Sequence, residues 1–166
     1  WLDKTGFPLE MEAAASFREA GFYVGQSSSF HDPEAGKSRE IDVLAEFADI
    51  FSLTGIFFSV ECKSGNKPWV VLTARTDDSF VGIGSYCIQS EAVREISYKK
   101  GFYDSSEHNP FIKRTNFYGY SLRQAFSEKN DIDPAYSAAM SVLKSCNNLK
   151  MSHTTFLFAF PVIVID

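Results

Sequence analysis

From Pro8 to Ala20 apolar and small residues recur at helical spacing, which predicts a helix. Pro8 suits the first turn, and Gly21 followed by Phe22 predicts a glycine stop with an apolar contact after it. Phe22-Tyr-Val24 reads as a short strand or strand-like exit. Gln26 to Ser38 is polar, contains Asp32-Pro33 and Gly36, and reads as loop. Arg39 to Phe47 alternates apolar and polar positions, the pattern of a strand with one buried face. Gly55 to Lys63 is apolar until its last residues and reads as a second strand. Lys67-Pro68 breaks the pattern, and Trp69 to Leu72 is a third, short strand. Asp133-Pro134 opens a helix to about Asn147, with Asp133 as N-cap and an apolar stripe of Ala135, Tyr136, Ala139, Val142, Leu143 and Cys146. Thr155 to Phe160 and Val162 to Ile165 are closing strands, separated by Pro161. Between these regions, residues 73 to 130 show the least regular pattern. They offer helices near Glu91 to Lys100 and Leu122 to Lys129, and a turn at Asn109-Pro110.

The order of helix, strands, insert, helix and strands predicts an α/β domain. A length of 166 residues suits a single domain over 1–166, with core segments 6–72 and 131–166 and an insert at about 73–130. With 16 Phe the core should be Phe-rich. No apolar run is long enough to span a bilayer, and the N-terminus lacks a basic start followed by an apolar stretch, so neither a membrane anchor nor a signal peptide is expected. Cys62, Cys87 and Cys146 are few and widely spaced, which fits reduced thiols and a cytoplasmic location better than a disulfide framework. No Cys lies near His31, His108 or His153, so a structural zinc site is not expected. The net charge of −5 is unlike that of a basic nucleic-acid-binding module. It is compatible with a site built from clustered carboxylates, with binding left to local basic stretches such as Lys99-Lys100 and Lys113-Arg114.

Candidate chemistry lies on the two best-defined strands. Strand side chains alternate, so Glu61 and Lys63 share one face while Val60 and Cys62 share the other. A lone Glu-x-Lys is common and usually marks a solvated strand end with an ion pair. Arg39-Glu-Ile-Asp-Val-Leu44 adds a second carboxylate, because Asp42 points away from Ile41 and Val43. The 19 residues from Asp42 to Glu61 allow two paired strands with a turn near Ser52 to Gly55, which would bring Asp42 to the face of Glu61 and Lys63. Two carboxylates there can hold a divalent cation through oxygen ligands, activate water and stabilise charge on a phosphate. The first helix contributes a third acid. On the helical wheel Glu10 falls beside Ala13, Ala14 and Phe17, whereas Glu12 groups with Ser16 and Glu19. A carboxylate on a packing face needs a partner, either a bound cation or Lys63.

The order Gly6-Phe-Pro-Leu-Glu10, then Ile41-Asp42, then Glu61-Cys-Lys63 resembles the PD-(D/E)xK (restriction-endonuclease-like) nucleases, in particular the branch of Mrr-type restriction enzymes and Holliday junction resolvases. The resemblance implies a helix, a central mixed β-sheet, a second helix and a further strand. It implies that Asp42 and Glu61, with the main-chain carbonyl of Cys62, hold Mg²⁺, for which Mn²⁺ would substitute. Lys63 would orient the attacking water or stabilise the transition state, and Glu10 would be the accessory acid. The implied activity is Mg²⁺-dependent hydrolysis of nucleic-acid phosphodiesters, DNA in preference to RNA, in restriction, defence or repair. A homodimer and further domains of the same protein are additional partners to consider. Ile41 stands where the motif name has Pro, and residues 66 to 130 make a longer insert than compact members carry. The alternatives are a catalytically silent binding domain and an oligomerisation module of a larger protein.

Weaker features remain. Phe111-Ile-Lys-Arg-Thr-Asn-Phe-Tyr-Gly-Tyr120 mixes aromatic and basic residues that suit bases and phosphates, with Lys113 and Arg114 as candidate nucleic-acid contacts, and equally suits an insert core with a solvated rim. Ser27-Ser-Ser29 with His31 has no acid at catalytic spacing, and Gly82-Ile-Gly84 is too short for a phosphate loop. Cys62 alternates away from the acids and reads as core rather than nucleophile.

Overall fold

The computed structural model describes residues 6–75, 86–100, 117–126, 133–152 and 156–166. The first helix, α1, spans Phe7–Glu19. It ends as its sequence requires: Gly21 takes φ 88°, Phe22 N–H donates to Phe17 O at 3.0 Å and Gly21 N–H to Arg18 O at 3.0 Å. The Phe17 and Phe22 rings then meet edge to face at 5.6 Å, the apolar contact of a Schellman stop.

Three antiparallel strands follow: β1 (Tyr23–Asp32), β2 (Lys37–Ala48) and β3 (Thr54–Lys63). The polar segment Gln26–Asp32, expected to be loop, is therefore strand, and only residues 33–36 make the turn. Its register runs from Tyr23 opposite Glu46 to Asp32 opposite Lys37. β1 is an edge strand, mostly exposed, so main-chain pairing rather than an apolar face holds it and no alternation marks it in the sequence.

β2 shows the alternation expected of it, with Ile41, Val43 and Ala45 at most 1% exposed and Asp42, Leu44 and Glu46 half-buried. β3 lies between β2 and β7 (Phe156–Ile165), pairing parallel to β7 with Lys63 opposite Ile165. β7 runs straight through Pro161, where two strands were expected. Among the described residues its outer neighbour β5 (Ile88–Gln89) pairs with Ala159 and Phe158 alone, so past that point no described strand makes a ladder on this edge of β7 for a proline to break. The sheet is thus mixed, five-stranded, ordered β1-β2-β3-β7-β5.

Helices cover both faces. Ala14 of α1 packs with Val43, Val60 and Cys62, rimmed by Leu9, Ala13, Phe17, Phe58, Val162 and Val164. On the other face Cys146 and Leu149 of α3 (Pro134–Ser152) pack with Phe57, Leu157, Ala159 and Leu44. Asp133 caps α3, its Oδ1 accepting from Ala135 N–H at 3.0 Å and Tyr136 N–H at 3.3 Å. The buried stripe is Ala135, Ala138, Val142, Ser145 and Cys146. Tyr136 and Leu143, expected inside, are 65% and 39% exposed. The Phe-rich interior holds in part. Phe58 meets Phe17, Phe22 and Phe160 at 5.0–5.4 Å, but among these and Phe57 only Phe57 is fully buried.

The segment between β3 and α3 divides. Ser90 caps α2 (Glu91–Lys100), the helix expected there, and its hydroxyl also accepts from Leu157 N–H at 3.2 Å, tying α2 to β7. Residues 117–124 form strand β6 (Phe117–Gln124) where a helix from Leu122 was expected. Its partner is β4 (Trp69–Arg75), which was expected to join the core sheet and instead makes a separate two-stranded ribbon. The turn at Asn109-Pro110 lies outside the described residues. None of the described helices is long and apolar enough to cross a membrane.

Candidate functional site

Val43 opposite Val60 is the last paired rung of the β2–β3 ladder. One step beyond it stand Asp42 and Glu61. Here the strands cease to pair backbone to backbone, and the Asp42 side chain bridges the gap: its Oδ2 accepts the Cys62 N–H at 2.7 Å. Asp42 is thereby fixed against the Glu61-Cys62-Lys63 segment by a charge-assisted hydrogen bond. Lys63 Nζ donates to Glu61 Oε1 at 2.7 Å, with the two side chains 28% and 13% exposed. The other Glu61 oxygen, Oε2, is buried and has no hydrogen-bond partner among the described residues. A desolvated carboxylate oxygen left in this state is costly unless a cation or donor reaches it.

Glu10 reaches the same end of the sheet from α1. It is half-buried, while Glu12, Ser16 and Glu19 are exposed, as the helical wheel requires. A β-carbon at Gly6 would stand 3.5 Å from Glu10 Oε1 and 3.6 Å from Ser64 Oγ, so the Glu10 carboxylate lies close to the residue that follows Lys63. Its carboxyl pKa is raised, first by burial and then by the negative charges of Asp42, Glu40 and Glu61, with Lys63 opposing. Glu10, Asp42, Glu61 and Lys63 therefore form one electrostatic cluster, drawn from three elements.

Cys62 is 6% exposed in the core under α1, and burial followed by the charges of Asp42, Glu10 and Glu61 pushes its thiol up to about 12. It stays protonated at neutral pH and is no nucleophile. Its backbone matters more. An extended residue aims its N–H and C=O at the same strand edge, so the Cys62 carbonyl faces the edge from which Asp42 reaches.

Two neighbours escaped the sequence reading. Glu40 is exposed and close enough to raise Glu10, and its position two residues before Asp42 was the available signal. Ser64 follows the motif directly, but only folding brings it to Gly6 and Glu10. Lys113 and Arg114 lie outside the described residues. Lys99, from the other basic stretch, pairs with Glu95 one turn earlier on α2. Ser27, with φ 51°, lies in β1 and His31 is exposed, with its main-chain carbonyl taken by Asn148.

The donor set suits a hard divalent cation in one respect and is spare in another. Glu61 Oε2 lacks a partner and Glu10 sits among like charges, both of which a cation would relieve. Among the described residues no three acidic, His or Cys side chains converge closely enough to hold an ion by themselves. A cation here would need the two carboxylates of Asp42 and Glu61 completed by a main-chain carbonyl and water.

The chain matches no protein-family model, no curated protein and no solved structure.

Proposed function

We propose that this chain is a divalent-metal-dependent nuclease of the PD-(D/E)xK type that hydrolyses phosphodiester bonds in nucleic acid, DNA in preference to RNA. The observation that carries the reading is the Asp42–Cys62 hydrogen bond, because it draws the two motifs, 19 residues apart, into one cluster beside the unpartnered Glu61 oxygen. The order of elements supports it. α1 precedes an antiparallel meander, α3 crosses the opposite face after the intervening β4, β5, α2 and β6, and the closing strand lies parallel to the strand that bears Glu61 and Lys63.

In this reading Asp42, Glu61 and the Cys62 carbonyl hold Mg²⁺, or Mn²⁺ in its place. The ion supplies charge neutralisation and a more acidic water when bound. The chain's own residues do the rest. Lys63 is held by Glu61 at the mouth of the site, where its ammonium can donate to the attacking water or to the negative charge that develops on the phosphate. Asp42 keeps its orientation through the Cys62 N–H. Glu10, with its raised pKa, holds a proton more readily than an exposed carboxylate and is the accessory acid.

The test is cleavage of plasmid and duplex DNA with Mg²⁺ or Mn²⁺ by the wild type and by Asp42→Asn, beside a calorimetric metal titration. Metal-dependent cleavage that disappears with Asp42→Asn is expected. Absence of cleavage in both metals, or an Asp42→Asn enzyme as fast as the wild type, would overturn the proposal. One observation favours the oligomerisation alternative. Phe47, Ile50, Phe51 and Leu53 are 48–91% exposed around the β2–β3 turn, at the opposite end of the sheet. A self-associating chain with no nuclease activity would select that reading.

A further inference from the structure

Asp42 lies at a gap in the sheet on both edges of β2. On the β3 side, pairing reaches Val43 opposite Val60 and stops there. On the β1 side, the ladder runs from Tyr23 opposite Glu46 to Asp32 opposite Lys37 and skips one rung, Ser27 opposite Asp42. Gln26 pairs with Val43 and Ser28 with Ile41, so the register is the same on both sides of the gap and no residue has been inserted. The skipped rung is also strained. Ser27 has φ 51°, in the left-handed region where a β-carbon crowds the carbonyl that follows. Among the described residues Ser52 and Phe126 share this property, but both stand in turns, whereas Ser27 stands inside a strand. Such strain persists only where the surroundings fix it, and it gathers at functional sites. Here the neighbours are fixed. Arg18 of α1 donates through Nη2 to Gln26 Oε1 at 2.9 Å. Ser28 Oγ stands 2.6 Å from where a Gly25 β-carbon would be, so Ser28 folds back over a place that glycine leaves open.

We infer that Ser27 is a positioning residue for Asp42: its left-handed backbone opens the β1–β2 ladder at the Asp42 rung, which frees Asp42 to turn onto the Cys62 amide and into the metal site; its part in the reaction rests on the nuclease reading. A strand residue paired on both edges holds its side chain roughly perpendicular to the sheet. Asp42 is released on both edges, and its Oδ2 accepts the Cys62 N–H at 2.7 Å, in place of a main-chain acceptor on β2. A bulge beside an active site has this same effect, ending the pairing and aiming a side chain, and Ser27 achieves it without an extra residue. The device belongs to the backbone, so it predicts which side chains position 27 accepts. Glycine takes φ > 0 freely and asparagine tolerates it, whereas a β-branched residue there is an outlier. Valine at this position favours the extended form, which closes the rung and draws Asp42 back into line with its strand.

The experiment measures three things on the whole protein: hydrogen exchange of the Cys62 amide against that of Val60 by NMR, Mn²⁺ affinity by calorimetry, and plasmid cleavage. Ser27→Val should speed Cys62 exchange relative to Val60, weaken Mn²⁺ binding and slow cleavage, each roughly tenfold. Ser27→Asn and Ser27→Gly lack the hydroxyl but accept the backbone, and should rescue all three. Melting temperatures show which variants fold, and Ser27→Ala, a milder change in the same direction, serves if Ser27→Val does not. A Ser27 that acts on stability alone would move the melting temperature and leave Cys62 exchange, metal affinity and cleavage at wild-type values in Ser27→Val; that result overturns the inference. So does a loss in Ser27→Asn and Ser27→Gly as large as in Ser27→Val, because it assigns the effect to the hydroxyl. The two proposals fail separately. A Cys62 amide released by Ser27→Val in a protein that cleaves nothing removes the nuclease and keeps the positioning of Asp42. Cleavage and Cys62 protection both indifferent to Ser27→Val remove the positioning and keep the nuclease.

Discussion

Asp42 has two roles that substitution can separate. Its carboxylate is a proposed metal ligand and also accepts the Cys62 N–H where the β2–β3 ladder has ended. Asp42→Ala should abolish metal-dependent cleavage and cost about 1–2 kcal/mol, because it leaves a half-buried N–H without its acceptor. Asp42→Asn should abolish cleavage while retaining most of that stability, since its amide oxygen still accepts; chemical denaturation beside the cleavage assay checks both. Lys63→Met should slow single-turnover cleavage on the order of 100-fold with metal binding intact, because a contact to developing charge acts on the chemical step. Were Lys63 only an ion-pair partner, the rate would be unchanged and the melting temperature slightly lower. Glu10→Gln should weaken activity, and Glu12→Gln, on the exposed face, should not. The sign of the Glu10 effect on stability follows from its raised pKa. A carboxyl whose folded pKa exceeds its unfolded value disfavours folding increasingly as pH rises through that range. Metal-free Glu10→Gln should therefore gain stability over wild type at pH 7 and gain little at pH 4. Equal melting shifts at both pH values would contradict the placement of Glu10 among the acids.

At the scale of elements, local chemistry sets the ends and tertiary packing sets the rest. The α1 stop depends on Gly21 at φ 88°, where an L-residue with a β-carbon is disfavoured. Gly21→Ala should cost about 1 kcal/mol in a denaturant titration and leave the site chemistry unaffected. Asp133→Ala removes the cap of α3 and the exposed pair with Arg123, and should cost about 1 kcal/mol, nearly all of it from the cap. β1 and β6 obey another logic. β1 is polar and edge-placed and takes its ladder from the adjacent strand β2 across a short turn, whereas among the described residues β6 pairs with β4, far back along the chain, so pairing partners rather than apolar pattern determine both.

The whole molecule is closed by a buried charge. Asp32, 1% exposed, accepts from Lys144 of α3 at 3.0 Å and from Arg39 at 2.5 Å, and caps the β1–β2 turn through Glu34 N–H and Ala35 N–H. Lys144 also pairs with Glu34 at 2.8 Å, and Asn148 Nδ2 donates to His31 O, so α3 grips the tip of the hairpin that carries Asp42. The hydrogen bond from Lys144 holds the Asp32 carboxyl far below its ordinary range, against the opposing effect of burial. The Lys144 ammonium is correspondingly raised, by Glu34 and then Asp32. A depressed carboxyl stabilises the fold above its unfolded pKa of about 3.9 and loses that contribution as pH falls towards its folded value. A raised ammonium stabilises below about 10.4 and loses that contribution as pH rises through its folded value. The network is thus fully in place between these limits. Lys144→Met should destabilise the protein at pH 7, with the difference from wild type shrinking below about pH 4. A constant difference through that acid range, measured by urea unfolding, would remove Asp32 as the linked group.

By itself the sequence determined what depends on neighbours along the chain. The Gly21 stop, the Asp133 cap, the alternation of Ile41, Val43 and Ala45, and the placement of Glu10 on the packing face of α1 all follow from helical and strand periods, which the backbone enforces locally. The same periods put Asp42 and the Glu61–Lys63 pair on matching faces of two strands. Tertiary structure decided everything that needed a pairing partner, whether the next strand or one far along the chain. It made Gln26–Asp32 a strand, because β2 supplied the hydrogen bonds that no apolar face advertised. It carried β7 unbroken through Pro161, because the flanking strand is only two residues long. It drew Trp69–Arg75 out of the core sheet to pair with residues 117–124, a choice between edges that hydrophobic pattern cannot rank. It also turned the Asp42 side chain onto the Cys62 amide, since a strand's face is fixed by its period but the point where its ladder ends is fixed only when the whole sheet has formed.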